Sequence, residues 1–321
     1  MNVGQKVSFV IPHKGRFEML TKTLESISKQ NYSGALIEVI IVSQTPQINS
    51  ELDTKNLNFI PKIIVASESE TISSLRNRGA NDSSGHFLAF LDADIYLASN
   101  WINMMQKHLA KNNTIIVSAK QTCDDGAAIV EKIRTDLSNS DTDNNVKFLP
   151  GANLFLLLKS FHKIGGFPEH LITCEDYFFT DKATKFGTLY KTSDSDFIHL
   201  GEDKSYSELF KKEVWRGQSN LKAIEGRKIT FRELPSIVIP VASFVCLLIA
   251  LGMSLVGEYY WVFFFMACFM SPIVAYSIRF TSFSSSSLPI RAILRFYLYY
   301  FSARSIGTIA GLFKSIGANH K

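Results

Sequence analysis

Two carboxylates, Asp92 and Asp94, stand one residue apart where the apolar run Phe87 to Leu91 opens into a turn. Hard oxygen ligands aimed at one point suit Mg²⁺ or Mn²⁺, ions that usually share a site with substrate phosphates. A solvated turn closing a strand explains the same residues, and a lone D-x-D is a weak signal. A second acidic pair, Glu175-Asp176, opens a stretch of helical spacing that runs to Phe186. Helix N-termini favour acidic side chains in any case. That accounts for one carboxylate, but not for the nearby Pro150-Gly151-Ala152-Asn153 and Gly165-Gly166-Phe167-Pro168 turns.

The elements that must position these groups are legible as periodicity. Phe87 to Leu91 reads as a strand buried on both faces, Ile37 to Val42 as a second buried strand, and Lys6 to Ile11 as a short β-rich run that Pro12 is expected to stop. Lys62 to Ala66 is a further strand. Phe17, Leu20, Leu24 and Ile27 are spaced for a helix, and another is expected through Arg76, Asn77 and Ala80. Strands and helices alternating in this way predict an α/β fold with a mostly parallel sheet, whose ligands bind at the carboxyl ends of its strands. Further on, Ile115 to Ala119, Phe148 to Leu158, Leu189 to Thr192 and Phe197 to Leu200 read as strands. Asp124 to Asn145 reads as a long mobile loop, and Ser205 to Ala223 as a polar helix.

The chain changes character at Pro235. Ser236–Val256 and Tyr259–Ile278 carry no charge, and only Gly257 and Glu258 separate them. Each is long enough to span a bilayer, so the pair predicts a transmembrane hairpin. Arg227, Lys228 and Arg232 precede it and Arg279, Arg291, Arg295 and Arg304 follow, which places both flanks in the cytoplasm. Leu288 to Ile316 mixes apolar and basic residues, as expected of amphipathic helices against anionic lipid. The expected division is a domain over 1–225 and a membrane region over 226–321, with a basic interfacial tail at 288–318. With 46% hydrophobic residues, the whole chain is more apolar than most soluble enzymes. The net charge of +5 is not gathered into a patch, which argues against nucleic acid. Cys123, Cys174, Cys246 and Cys268 form no C-x-x-C pair, so no zinc site or disulfide framework is indicated. No signal peptide is apparent at the N-terminus, consistent with a cytoplasmic N-terminal domain on the inner membrane.

In order, IPHKGR, IEVIIVSQTP, SLRNRGA, FLAFLDADIY, PGANLFLLLKSFHKIGGFPE and CEDYFF resemble the family 2 glycosyltransferases of GT-A fold, over roughly residues 6 to 220. The resemblance implies a nucleotide-sugar donor, a UDP-sugar foremost, with Mn²⁺ or Mg²⁺ and inversion at the anomeric carbon. It implies a lipid-linked or cell-surface glycan acceptor. It makes Asp94 a direct metal ligand, with Asp92 on the ribose or reaching the metal through water, and His199 a candidate third ligand. Asp176 becomes the general base and Glu175 its support. Arg76 and Asn77 match the family's R-N, with Arg76 toward the nucleotide or its phosphates, and Pro12 and Arg16 lie in the loop that grips base and ribose. One departure is Gln44, near where the family usually carries an aspartate that reads uracil. Trp215-Arg216 reverses a signature of processive relatives and says nothing for processivity.

The alternative is a non-catalytic GT-A module that binds a sugar nucleotide or a partner at the membrane. A nucleotidyltransferase would need a Gly-rich loop longer than Pro12 to Arg16 offers. A transporter would show charge within its spans. Homo-oligomerisation is left open by the sequence.

Overall fold

The computed structural model describes residues 4–111, 113–218, 234–284 and 286–318. Arg227, Lys228, Arg232 and the expected helical extension toward Ala223 lie outside them. The chain divides into two compact units, Met1–Cys123 with Asp141–Gly201, and Asp124–Ser140 with Glu202–Lys321. The change of composition at Pro235 does not coincide with this division.

In the first unit the strands are β1 (Val7–His13), β2 (Ile37–Ser43), β3 (Lys62–Val65), β4 (Phe87–Leu91), β5 (Ile95–Leu97), β6 (Thr114–Thr122), β7 (Asn144–Val146), β8 (Asn153–Leu157) and β9 (Thr188–His199). They form one sheet in the order β3-β2-β1-β4-β8-β6-β9-β5, with β7 added to β9. The run β3-β2-β1-β4 is parallel, as continuous apolar strands predict. The far half is mixed: β8 is antiparallel to β4 and β6, and β5 and β7 are antiparallel to β9. Since β6 runs parallel to β9, the C-terminal ends of β1, β2, β4 and β9 and the N-terminal end of β8 share one edge. Helices α1 (Phe17–Ser28), α2 (Ile48–Glu51), α3 (Ile72–Asn81), α4 (Trp101–Leu109), α6 (Leu158–Ile164) and α7 (Glu175–Ala183) complete the unit, while α5 (Ile129–Ser138) belongs to the second. Phe9, Trp101 and Phe155 anchor the core on one face of the sheet, and Phe90, Phe161 and Phe179 on the other.

Three sequence expectations change. Pro12 does not stop β1: it pairs in register with Val42, and the strand ends at His13. The missing N–H costs little at the last pairs of a strand. Leu189 to Thr192 and Phe197 to His199 are not two strands but parts of the single β9, which stays continuous through a register irregularity opposite Ala119 and Lys120. The expected loop at 124–145 contains a helix, α5 (Ile129–Ser138), and the short β7.

In the second unit, α5 joins α8 (Tyr206–Gln218), α9 (Leu234–Leu255), α10 (Tyr259–Phe283) and one long tail helix, α11 (Ile290–Ala318). Val130 and Ile133 of α5 enter a core with Leu209, Phe269, Phe280, Phe296 and Phe301. α8 and α11 approach closely through glycines: a methyl group on Gly217 would meet the carbonyl of Arg304 at 2.8 Å and Gly307 Cα at 2.9 Å. α9 and α10 are long and apolar enough to cross a membrane, and only 17% of each candidate span is buried.

Candidate active site

At the shared sheet edge, β4 runs into Asp92, whose backbone N–H donates to the Ala152 carbonyl at 3.1 Å. That bond joins the D-x-D turn to the Pro-Gly-Ala-Asn turn. The turn re-enters the sheet as β5, and the pairing of Ile95 with His199 carries the end of β9 alongside it. Leu200 N–H closes the contact on the Asp94 carbonyl at 2.8 Å. As a result His199 Nε2 lies 3.4 Å from Asp94 Oδ1, while Arg16 Nη1 lies 3.3 Å from Asp94 Oδ2. Gly201 leaves room for this carboxylate, because a Cβ there would collide with Asp94 Oδ2. Arg16 itself takes a left-handed backbone at φ 55°, a costly conformation for a non-glycine residue, just before α1.

Among the described residues, no group of three His, Cys, Asp or Glu side chains is placed to hold a metal. The donor set at hand is one carboxylate and one imidazole. Two protein ligands with the balance from phosphate and water fit a Mg²⁺ or Mn²⁺ site shared with a diphosphate. Asp92 is turned elsewhere: its Oδ1 accepts from Arg76 Nη2 at 2.9 Å. Arg76 Nη1 donates to Glu175 Oε1 at 2.8 Å. The guanidinium is buried, lies 5.1 Å from the Phe167 ring centroid and backs onto Gly151.

Glu175 and Asp176 form the first turn of α7, behind Cys174 in a left-handed conformation at φ 62°. Asp176 Oδ2 accepts from Gly151 N–H at 3.1 Å and its Oδ1 from Tyr177 N–H at 2.8 Å. Burial raises the Asp176 pKa above the usual aspartate value, against the pull of the Gly151 N–H and Arg76. Burial raises Glu175 as well, opposed by Arg76 and reinforced by Asp176. Both are therefore better proton acceptors than a solvated carboxylate once ionised.

The structure brings Asp94, His199 and Arg16 together, and separately Asp92, Arg76, Glu175 and Asp176. It turns three of the expected donor contacts inward. The Gln44 amide donates to the carbonyls of Ser67, Glu68 and Glu70 at 2.9–3.0 Å, so its hydrogens are spent on the neighbouring loop between β3 and α3. Asn77 Nδ2 donates to the Phe167 carbonyl and Glu169, and its Oδ1 accepts from Phe167 N–H. It clamps the Gly-Gly-Phe-Pro turn. Pro12 is buried within β1, which leaves the exposed Lys14 and Arg16 as the loop's outward groups. His13 was passed over in the sequence: it is buried, its Nδ1 lies 2.9 Å from Ser43 Oγ, and burial lowers its pKa. Gly151 and Gly201 were passed over as spacers that the site requires, and only a three-dimensional neighbour reveals such a need.

The first unit, with its split parallel and mixed sheet and acidic groups at one edge, has the fold of GT-A glycosyltransferases. The sequence model described as Glycosyl transferase family 2 matches residues 8–167, and the chain belongs to that family. It is 25% identical over 237 residues to the glycosyltransferase AglE of Haloferax volcanii, covering 71% of this chain and 77% of AglE. It is 27% identical over 183 residues to an uncharacterised glycosyltransferase of Rickettsia felis, covering 53% of this chain but only 30% of that one. Among solved structures, the mannosyltransferase PcManGT of Pyrobaculum calidifontis, captured with GDP-Man and Mn²⁺, superposes with a TM-score of 0.63 at 14% identity, over 98% of this chain and 88% of its own. GalNAc-T7 with UDP, GalNAc and Mn²⁺ gives a TM-score of 0.50 at 16% identity, over 69% of this chain and 52% of its own.

Proposed function

We propose that this chain is a membrane-anchored inverting glycosyltransferase. It moves a sugar from a nucleotide-sugar donor, a UDP-sugar foremost, to a lipid-linked or cell-surface glycan acceptor at the cytoplasmic face of the membrane. The observation that carries this reading is the meeting, at one sheet edge, of a metal-type donor pair (Asp94, His199) and a buried carboxylate of raised basicity (Asp176). Asp176 accepts the proton of the acceptor hydroxyl as that oxygen bonds to the anomeric carbon. The bond from that carbon to the diphosphate breaks on the opposite face, and the nucleoside diphosphate leaves. Asp94 and His199 would hold Mn²⁺ or Mg²⁺, which when bound offsets the charge of the departing diphosphate. Arg16, exposed beside Asp94, supplies a second positive group to the phosphates. The loop from Lys14 to Arg16, beyond the end of β1, holds the nucleoside.

The membrane side of the proposal rests on α9 and α10. Leu248, Leu251, Phe263 and Ile278 face outward, which a water-soluble core would not leave exposed. Tyr259, Tyr260 and Trp261 sit at the hairpin turn, where interfacial aromatics are favoured. Arg279 near the C-terminal end of α10 and Arg291, Arg295 and Arg304 beyond it favour the cytoplasm for that flank.

The test is a donor screen with the full chain in vesicles, Mn²⁺ and a panel of UDP- and GDP-sugars, scored for transfer and for hydrolysis without acceptor. Turnover that EDTA abolishes supports the reading. Donor binding with neither transfer nor hydrolysis would leave a non-catalytic binding module.

A further inference from the structure

We propose that Arg76 is a positioning residue of the transfer reaction and not a donor ligand. It holds the D-x-D turn and the Glu175-Asp176 turn to one guanidinium, and so fixes how far the metal-type ligands stand from the base. This rests on the functional reading above. Asp92 is two residues from Asp94 on one turn, and Glu175 immediately precedes Asp176 on α7. The two carboxylates reach the same planar group at 2.9 and 2.8 Å from two different elements, while Arg76 itself comes from a third, α3.

The guanidinium is closed on its remaining sides. Arg76 is 2% exposed, and the Phe167 ring lies 5.1 Å away. Against it lies Gly151, where a Cβ would stand 2.9 Å from Nη2. A phosphate could reach this group only by displacing one of its carboxylates. Its Nε–H is buried without a hydrogen-bond acceptor among the described residues. A buried cation with an unsatisfied N–H is a poor way to gain stability, which agrees with a role in fixing geometry here. Gly151 has a second duty that agrees with this: its N–H binds Asp176 while its missing side chain admits Arg76. A lysine could not substitute, because a point charge on a flexible stem does not hold two carboxylates in one plane.

Arg76→Lys and Arg76→Met in the full chain test this. UDP and GDP, each with Mn²⁺, are titrated by calorimetry, and kcat and donor KM are measured with the sugar nucleotide that the wild type turns over. Nucleotide Kd and donor KM should stay within about threefold of wild type. Saturating kcat should fall about 10²-fold, the scale of a misplacement of about 1 Å, with Lys recovering less than about a tenth of the lost rate. A Kd that rises in step with the loss of kcat/KM, at unchanged kcat, would make Arg76 a donor ligand and overturn the proposal. If Arg76→Met does not fold, Arg76→Lys combined with Glu175→Gln carries the test. Both changes break the same bridge, so the double variant should be hardly slower than Arg76→Lys alone, and fully additive losses overturn the proposal. Asp176→Asn separates the two levels. If it keeps wild-type turnover, the base assignment fails. If it is inactive while Arg76→Lys keeps wild-type kcat, only the present inference fails.

Discussion

The two units each bury a network of charges, and the networks are opposite in sign. In the first, one guanidinium, Arg76, serves Asp92 and Glu175 with Asp176 beside them. In the second, one carboxylate, Glu213, is ringed by Arg134 at 3.6 Å, Arg304 at 3.5 Å and Arg216. Glu202 and Asp203 extend that ring toward Arg134 and Lys212. The acidic majority around Arg76 consists of groups that titrate, and burial raises Glu175 and Asp176. The basic majority around Glu213 is mostly arginine, which does not titrate in proteins, and it keeps Glu213 below the usual glutamate value despite burial. An excess of carboxylates makes proton acceptors. An excess of arginines makes a joint of fixed charge, here between α5, α8 and α11.

The contrast breaks most sharply at Asp176. Asp176→Asn keeps size and most hydrogen bonding but removes the accepting lone pair, so turnover should fall about 10²–10⁴-fold with donor affinity retained. The acid limb of the pH–rate profile, which should lie above the ordinary aspartate range because burial raises this group, should vanish as well. Near wild-type rates would remove Asp176 from the mechanism and bring Glu175 forward. Next in size is Glu213→Ala, which removes the carboxylate that Arg134, Arg216 and Arg304 share. Breaking a buried ion network in this way typically costs about 3–5 kcal/mol. The loss should appear as a lower melting temperature and faster hydrogen exchange in α8, with catalysis at low temperature largely intact. An unchanged melting curve would mean that the ring around Glu213 is not a joint.

His199→Ala should raise the Mn²⁺ concentration for half-maximal activity, by about tenfold on the scale of losses around metal sites. An unmoved titration would make the His199–Asp94 contact structural. The smallest effect is in the pH dependence of stability, where the two networks should oppose each other. Glu175 and Asp176 have raised values, so their contribution favours the fold below the ordinary carboxyl range and is lost as pH rises through those values. Glu213 has a lowered value, so its contribution is present above that range and lost as pH falls through the depressed value. Melts at pH ~7 and pH ~4 should therefore find Asp176→Asn stabilised and Glu213→Gln destabilised at the higher pH, with both differences shrinking at the lower. Shifts of the same sign would end the comparison.

Much of this was legible in the sequence wherever a local pattern decides the structure. Continuous apolar runs announced β1, β2 and β4, and their common edge followed from the parallel rule. The acidic pairs announced themselves by type and by the turns beside them. What stayed hidden depended on pairing across the chain. Arg76 finds its partners 16 and 99 residues away, so nothing near it shows that it is buried. Gln44 and Asn77 read as ligand-facing amides, yet loop carbonyls at Ser67, Glu68 and Glu70 and the backbone of Phe167 claim them. Helix α5 was missed because its few apolar residues look sparse without Phe269, Phe296 and the other side chains that cover Val130 and Ile133.

That placement of α5 sets a timetable for the nascent chain. Val130 and Ile133 leave the ribosome well before Phe269, Phe280, Phe296 and Phe301, the side chains that enclose them. At synthesis rates of about 5–20 residues per second, α5 waits roughly 10–30 s for its cover. Its flanking segments are already free to join the sheet during that interval. The long apolar helices α9 and α10 must be synthesised before the wait can end, so the α5 core is completed only once both have left the ribosome.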